Sequence, residues 1–176
     1  ELTTAMRLAI IDGYKVTVIP RQLPDLARGA ALYSEQCASC HGETGDGKGP
    51  LAAGMEPPPI VFRDHERYSQ RTLYGLYSTI TQGVAETSMP SYHELPAEER
   101  WALAFYVGGL AADEVAAAEA ESLLADPALN ELLAVQNLTV ITPAEAETAY
   151  GDAGGRLMAY LRNHPEALFD LQSPLQ

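Results

Sequence analysis

The chain has 176 residues, of which 47% are hydrophobic, with only two cysteines and a formal net charge of −13. The hydrophobic content is that of a globular protein, and no apolar run approaches the ~20 residues needed to span a bilayer. The two cysteines lie three positions apart, which excludes a disulfide scaffold, and the acidic balance argues against nucleic acid as a partner because little positive charge is available to neutralise phosphates.

Residues 1–24 form an N-terminal segment without a single clear pattern. Residues 2–11 suit a short helix, whereas residues 14–19 carry β-branched side chains and suit an extended conformation equally well. Pro20 and Pro24 then interrupt regular structure. The opening at Glu1, with no hydrophobic leader, is typical of a processed chain.

The first strongly predicted helix begins after Asp25, which is a suitable N-cap. Apolar and small residues then recur at helical spacing as far as Cys37. Residues 42–60 contain so many glycines and prolines that they indicate an ordered loop and neither helix nor strand.

Two more helices are predicted before residue 112. One covers residues 71–82, with its leucines and Ile80 on one face. The other has Pro96 at its first position, glutamates in its first turn and Trp101 on its apolar stripe.

Beyond residue 112 the composition becomes rich in alanine and acidic residues. Helices are predicted over residues 113–125, 127–136 and 143–163. Thr142 and Glu145 have the spacing of a capping box at the start of the last one, which the glycines at 151, 154 and 155 should divide. The chain shows no repeat and no convincing sheet, so the predicted fold class is all-α.

The segment Cys37-Ala38-Ser39-Cys40-His41 carries the chemistry, because it has the C-x-x-C-H spacing of c-type haem attachment. Two thiols at this spacing can add to the two vinyl groups of one haem. The histidine that follows is then held beneath the iron, where its imidazole becomes the proximal ligand. The sequence therefore predicts one covalent haem c, attached through Cys37 and Cys40 and bound by His41.

Two other uses of a cysteine pair are weaker explanations. A structural zinc site needs about four protein ligands, and no second cysteine pair is available. A thioredoxin-like dithiol belongs in a βαβ setting, which an all-α pattern does not supply. A short helix before the motif and a glycine- and proline-rich loop after it favour the haem.

Met89 is the predicted second axial ligand. It lies in Ser88-Met89-Pro90-Ser91-Tyr92, a loop between two helices, where a rigid Met-Pro pair can direct the sulfur at a flat cofactor. Thioether sulfur favours ferrous iron and raises the reduction potential. Met55, inside the glycine-rich loop, is a weaker candidate, and His93 is a rival that could replace Met89 but not join it. His65 and His164 are interpreted as surface residues.

With these residues in place, residues 25–112 resemble a class I c-type cytochrome. Gly29 and Tyr33 are similar to the glycine and aromatic residue of that family's first helix, and Trp101, Phe105 and Tyr106 to the aromatic residues of its last. The resemblance implies that a proline carbonyl accepts a hydrogen bond from the proximal histidine, and Pro59 is the predicted acceptor, ahead of Pro58 and Pro50. It also places Phe62 and Tyr92, with Pro59, in the haem pocket. The expected architecture is a class I cytochrome c fold around one haem, followed by a small helical extension over residues 113–176.

A narrower resemblance points to the cytochrome domains fused ahead of bacterial high-affinity iron permeases. Four runs carry it: residues 45–50, residues 57–62, residues 79–83 and the run WALAFYVG from Trp101. The tail sequence LMAYLRNHPEAL is similar to the segment that joins such a domain to its permease. The resemblance implies a periplasmic or extracytoplasmic redox domain, the soluble part of a membrane protein, whose partners would be a redox protein, an iron cation and a permease domain in the same chain. The permease's Arg-Glu-x-x-Glu signature is absent from these 176 residues.

Electron transfer coupled to iron uptake is thus the leading hypothesis for function. Two groups of carboxylates could attract iron cations: Glu86, Glu94, Glu98 and Glu99, or Asp113, Glu114, Glu119 and Glu121. One alternative is a free-standing periplasmic carrier that serves a respiratory oxidase. Another is a haem sensor or peroxidase, which Met89 argues against because a strong distal ligand blocks access to the iron.

Overall fold

The computed structural model describes residues 2–13, 19–112 and 114–172, and within these ranges all regular structure is helical. The helices of the first 112 residues are α1 (Leu2–Gly13), α2 (Leu26–Gln36), α3 (Ala38–His41), α4 (His65–Tyr68), α5 (Leu73–Gln82) and α6 (Ala97–Gly109). The extension contains α7 (Ala117–Leu124), a 3₁₀ helix (Pro127–Leu133), α8 (Val135–Val140), α9 (Pro143–Tyr150), α10 (Asp152–Asn163) and α11 (Pro165–Gln172). The predicted all-α class is confirmed.

Side-chain caps set several of the helix starts. Asp25 accepts a hydrogen bond from the Arg28 N–H at 2.9 Å and begins α2, as predicted. Thr72 caps α5 in the same way, so that helix starts two residues later than predicted. Pro96 is the residue before α6 and not its first helical residue.

The extension differs from its sequence prediction at one point and agrees at another. Residues 127–136 do not form one helix, because Ala134 adopts an extended conformation between the 3₁₀ helix and α8. The predicted capping box at Thr142 and Glu145 is present, and Gly151 divides α9 from α10. The predicted helix over residues 113–125 is observed from Ala117, and Asp113 lies outside the described residues.

The cytochrome-like core is organised around the crossing of α2 and α6. At the crossing point, a Cβ atom on Gly29 would collide with the backbone carbonyl of Ala102. Only glycine therefore allows the two helices to come this close. Tyr33 of α2 and Phe105 of α6 are both buried in this core, with 1% and 0% of their surfaces exposed.

The extension packs against this core, and buried side chains of both parts form one apolar cluster. Leu157, Met158 and Leu161 of α10 are completely buried and belong to the same apolar cluster as Leu73 and Phe105. Met158 is therefore a packing residue. The sequence left open whether residues 113–176 form a separate stalk, and the described part of them does not.

Polar contacts reinforce the join between core and extension. Arg162 of α10 is 2% exposed, and its guanidinium donates a 2.6 Å hydrogen bond to the carbonyl of Arg71, just before α5. The Ala144 N–H donates to the Ser69 carbonyl at 3.0 Å. Burial lowers the pKa of Arg162 to about 10, which still leaves it charged at neutral pH.

The N-terminal segment contains a helix two residues longer than the 2–11 prediction. Arg7 of α1 donates to both carboxylate oxygens of Glu145, at 2.7 and 2.9 Å, and so fastens α1 to α9. Most of the stretch predicted as extended, residues 14–19, lies outside the described residues. Among the residues that the structure describes, no helix has both the length and the apolar character of a membrane span.

Candidate functional site

The Cys-x-x-Cys-His segment forms one tight helical turn at the end of α2. Cys37 ends α2, and its N–H donates to the Tyr33 carbonyl at 2.9 Å. The N–H groups of Cys40 and His41 both donate back to the Cys37 carbonyl, at 3.1 and 2.9 Å. This turn brings the two thiols and the imidazole to one side of the backbone, where all three line the same cavity.

The loop that follows closes tightly over this turn. Gly49 passes so near the backbone of Ser39 that any Cβ at position 49 would overlap it. The predicted ordered loop is thus held against the Cys-x-x-Cys-His segment, with the Leu51 N–H donating to the Ser39 carbonyl at 2.8 Å.

His41 is held in a neutral form that leaves one ring nitrogen available for a metal. Its Nδ1 lies 3.1 Å from the Ile60 carbonyl oxygen, and because a carbonyl can only accept, Nδ1 carries the proton. Burial lowers the pKa of His41, although this hydrogen bond acts in the opposite direction. Nε2 therefore keeps a free lone pair at neutral pH, as a metal ligand requires.

The acceptor of that hydrogen bond corrects the prediction of Pro59. The Pro59 carbonyl oxygen lies on the side of Gly47, 3.0 Å from where a Cβ of residue 47 would be. The next carbonyl, that of Ile60, faces His41. The position was wrong by one residue because a proline-rich loop has no periodicity from which the direction of each carbonyl can be inferred.

A cavity of about 590 Å³ opens beside the turn and is large enough for a cofactor. Its walls combine the two thiols, an imidazole, two thioethers and a run of prolines. The lining includes Cys37, Cys40, His41, Met55, Pro57, Pro58, Pro59, Ile60, Val61, Met89, Pro90 and Tyr92. Burial raises the pKa of the Cys37 thiol to about 11, so that this thiol is protonated at neutral pH.

Met89 reaches the cavity from a loop that is fixed at both ends. The Val84 N–H donates to the Met89 carbonyl at 3.2 Å, and the Met89 N–H donates to the Thr87 hydroxyl at 3.1 Å. Beyond it, the Tyr92 hydroxyl donates to the Gln36 carbonyl at 3.1 Å, beside the Cys-x-x-Cys-His segment. The Met89 loop and the Cys-x-x-Cys-His turn are thus joined by this hydrogen bond.

Gly83 provides a test of how closely this loop is held. A Cβ at position 83 would lie 2.6 Å from the Pro90 carbonyl carbon and 2.8 Å from the Met89 carbonyl oxygen. We expect Gly83→Ala to displace Met89 from its position and to weaken or abolish any sulfur–iron charge-transfer band in the ferric spectrum.

Gly151→Ala is the matched control for this substitution. Gly151 has nearly the same backbone angles as Gly83 (φ 68°, ψ −165° against φ 70°, ψ −167°), but no atom lies within 4 Å of its added Cβ. Both variants should therefore lose about 1–3 kcal/mol of stability from backbone strain, and only Gly83→Ala should change the spectrum. If the two variants had the same ferric spectrum, the close contact between position 83 and the Met89 loop would be contradicted.

The remaining predicted site residues are placed as follows. Tyr92 and Pro59 line the cavity, but Phe62 does not; its ring stacks on His41 instead. His93 is exposed and bonded to Ser91 and Glu94, away from the cavity lining.

Sequence reasoning missed one feature, the Ile60 carbonyl that accepts the hydrogen bond from His41. Met55, the weaker candidate for the second axial ligand, lines the cavity together with Met89.

The donor set in this cavity fits haem c. Two thiols at the attachment spacing, a neutral imidazole with a free nitrogen and a thioether face one apolar space, which is the ligand chemistry of a His/Met haem. No other site with comparable donors is present in the described residues, where no group of three His, Cys, Asp or Glu side chains could hold a metal ion.

Residues 24–107 match the family described as cytochrome c oxidase, cbb3-type, subunit III. Among solved structures, the chain is similar to one from the reducing HAO-like protein complex of Kuenenia stuttgartiensis, at 19% identity and a TM-score of 0.43, over 73% of this chain and 70% of that one. No curated protein sequence matches the chain. The family match and the helical fold show that residues 24–107 are similar to a c-type cytochrome domain with the class I fold, and the donor set of the Cys-x-x-Cys-His cavity fits covalent haem c.

Proposed function

We propose that the chain carries a single haem, attached through Cys37 and Cys40, with His41 and Met89 as its axial ligands, and that it shuttles single electrons. The observation that supports this most strongly is the one cavity that both thiols, the imidazole and the Met89 side chain line. The support for a single haem in these 176 residues is their two cysteines, which supply one attachment motif.

The hydrogen bonds around the cavity suit electron transfer because they hold the two proposed axial ligands in place. When bound, the haem supplies a one-electron couple between ferric and ferrous iron. The Ile60 carbonyl keeps the His41 imidazole in one orientation, and the Val84 and Thr87 hydrogen bonds do the same for the Met89 backbone. Ligands that stay in place in both oxidation states keep the reorganisation on electron transfer small.

The test is a redox titration of the purified holoprotein followed by absorption. We expect a one-electron transition and, in the ferric protein, a methionine-to-iron charge-transfer band. A high-spin ferric spectrum that changes when peroxide or a small gas is added would instead support the haem sensor or peroxidase alternative.

For the biological setting, we propose a periplasm-facing domain that passes electrons during iron uptake, as the soluble redox part of an iron permease. The support is the sequence resemblance of the core runs and of the tail to such fusions, together with an acidic surface that attracts cations. Covalent attachment of haem c fits an extracytoplasmic location, where c-type domains typically occur. An electron taken from ferrous iron would reduce the ferric haem and then pass to a redox partner protein.

The carboxylates suggested for attracting iron differ in their availability. Glu99 is paired with Arg28 at 2.8 Å, and Glu119 is bound to Arg156. Glu94 contacts the exposed His93 at 2.6 Å. Paired carboxylates of this kind would contribute mainly long-range attraction, and the exposed Glu86, Glu114 and Glu121 are the better candidates for direct encounter with iron.

The alternative is an electron carrier for a respiratory oxidase, which the description of the matched family as an oxidase subunit favours. Two measurements separate the settings. An iron permease fusion requires apolar runs of about 20 residues encoded downstream of codon 176, and ferrous iron should reduce the ferric protein rapidly. A downstream region without such runs, with slow reduction by ferrous iron, would support the oxidase setting.

A further inference from the structure

Phe62 lies directly against the residue that holds the iron. Its ring stacks on the His41 imidazole with the centroids 4.3 Å apart and the planes inclined by 18°. It is 8% exposed and does not line the cavity, so it contacts the imidazole and not the space for the haem.

Two restraints on the imidazole therefore come from one short segment. The Ile60 carbonyl accepts from Nδ1 at 3.1 Å, which fixes the direction of the ring in its own plane. The Phe62 face blocks rotation of that plane, because turning the imidazole would bring its edge into the phenyl ring. A hydrogen bond by itself permits the ring to tilt about the N–H···O line, and the stacked phenyl ring removes that freedom.

Phe62 is itself held from three sides. Its N–H donates to the Gly45 carbonyl at 2.7 Å. The Tyr68 ring meets its edge at 5.5 Å and 77°, and the Tyr33 ring does so at 6.1 Å and 62°. Tyr33 and Tyr68 are buried, with 1% and 4% of their surfaces exposed. The packed core therefore fixes the orientation of the Phe62 ring, which in turn fixes the plane of the imidazole.

We infer that Phe62 is a positioning residue that sets the plane of the proximal imidazole, and through it the electronic state of the haem iron. This inference rests on the proposed function, in which His41 is the proximal ligand. The orientation of an axial imidazole plane governs how its π orbital overlaps the iron d orbitals, and that overlap sets the g values of the low-spin ferric state. Phe62 therefore acts on the iron without touching it.

The test is electron paramagnetic resonance of the ferric holoprotein carrying Phe62→Leu. Leucine keeps the site apolar but removes the planar face. We expect the largest g value to shift and its line to broaden, because the imidazole then samples a range of planes. Phe62→Tyr keeps a planar ring against His41, so its largest g value should stay at the wild-type value.

Phe105→Leu is the matched control. Phe105 is 0% exposed and contacts Trp101 edge-on, and it does not line the cavity. This variant should lose stability like any core truncation and leave the g values unchanged. The inference is overturned if Phe62→Leu has the wild-type spectrum, or if Phe105→Leu shifts the spectrum by the same amount.

Failure of the inference and failure of the proposed function give different results. A wild-type protein with no low-spin ferric signal would refute the proposed ligation. A low-spin signal that is the same in wild type and Phe62→Leu would refute only the role of Phe62.

Discussion

Replacing both Cys37 and Cys40 with serine is expected to abolish covalent haem completely. Serine hydroxyls do not add to the haem vinyl groups, so the porphyrin would be held only by coordination and packing. After denaturation, the variant polypeptide should run on a gel without haem colour and have the mass of the bare chain. We also expect the free energy of unfolding to fall by several kcal/mol, because a haem that can dissociate stabilises the fold only by an amount that grows with the logarithm of its free concentration.

Ser39→Ala is the control for this variant. Ser39 lies between the two cysteines and is half-buried, so its replacement disturbs the same turn without removing a thiol. It should retain haem colour on a denaturing gel. If haem stayed covalently attached in the double serine variant, Cys37 and Cys40 would not be the attachment residues.

Met89→Ala is expected to produce the second large effect, a five-coordinate or water-ligated ferric haem with a lower reduction potential. Thioether sulfur stabilises the ferrous state, and axial ligands set haem potentials over a range of about 0.8 V. A fall on the order of 100 mV is expected, with loss of the methionine-to-iron charge-transfer band. Voltammetry and the ferric absorption spectrum measure the two changes.

Met55→Ala tests which sulfur is the ligand. Met55 lines the same cavity, so the two variants make the same chemical change in one site. Met55→Ala should keep the charge-transfer band and shift the potential only slightly. If the band disappears in Met55→Ala and survives in Met89→Ala, the assignment of the axial ligand is reversed.

The sequence predicted the parts of the site in which spacing by itself dictates geometry. The spacing of two cysteines and a histidine within five residues predicted one shared site, and the structure places all three on one helical turn that lines one cavity. Helix starts marked by a single side chain, at Asp25 and at the Thr142–Glu145 capping box, were also predictable, because each depends on contacts three residues apart.

The parts that depend on tertiary packing were not predictable. The choice between Pro59 and Ile60 turns on which carbonyl of an irregular loop faces inward. The Gly45–Phe62 hydrogen bond helps to fix that loop and joins residues far apart in sequence. The association of the extension with the core likewise depends on buried contacts such as those of Leu157, which no local pattern reveals.

The buried Arg162 connects the C-terminal extension to the helix that leads into the Met89 loop. Its guanidinium donates a hydrogen bond to the carbonyl of Arg71, just before α5. The other end of that ten-residue helix leads through Gly83 into the Met89 loop. A helix of this length is a stiff rod of about 15 Å. Any displacement of α10 would therefore also move α5 and the loop at its far end, which carries Met89.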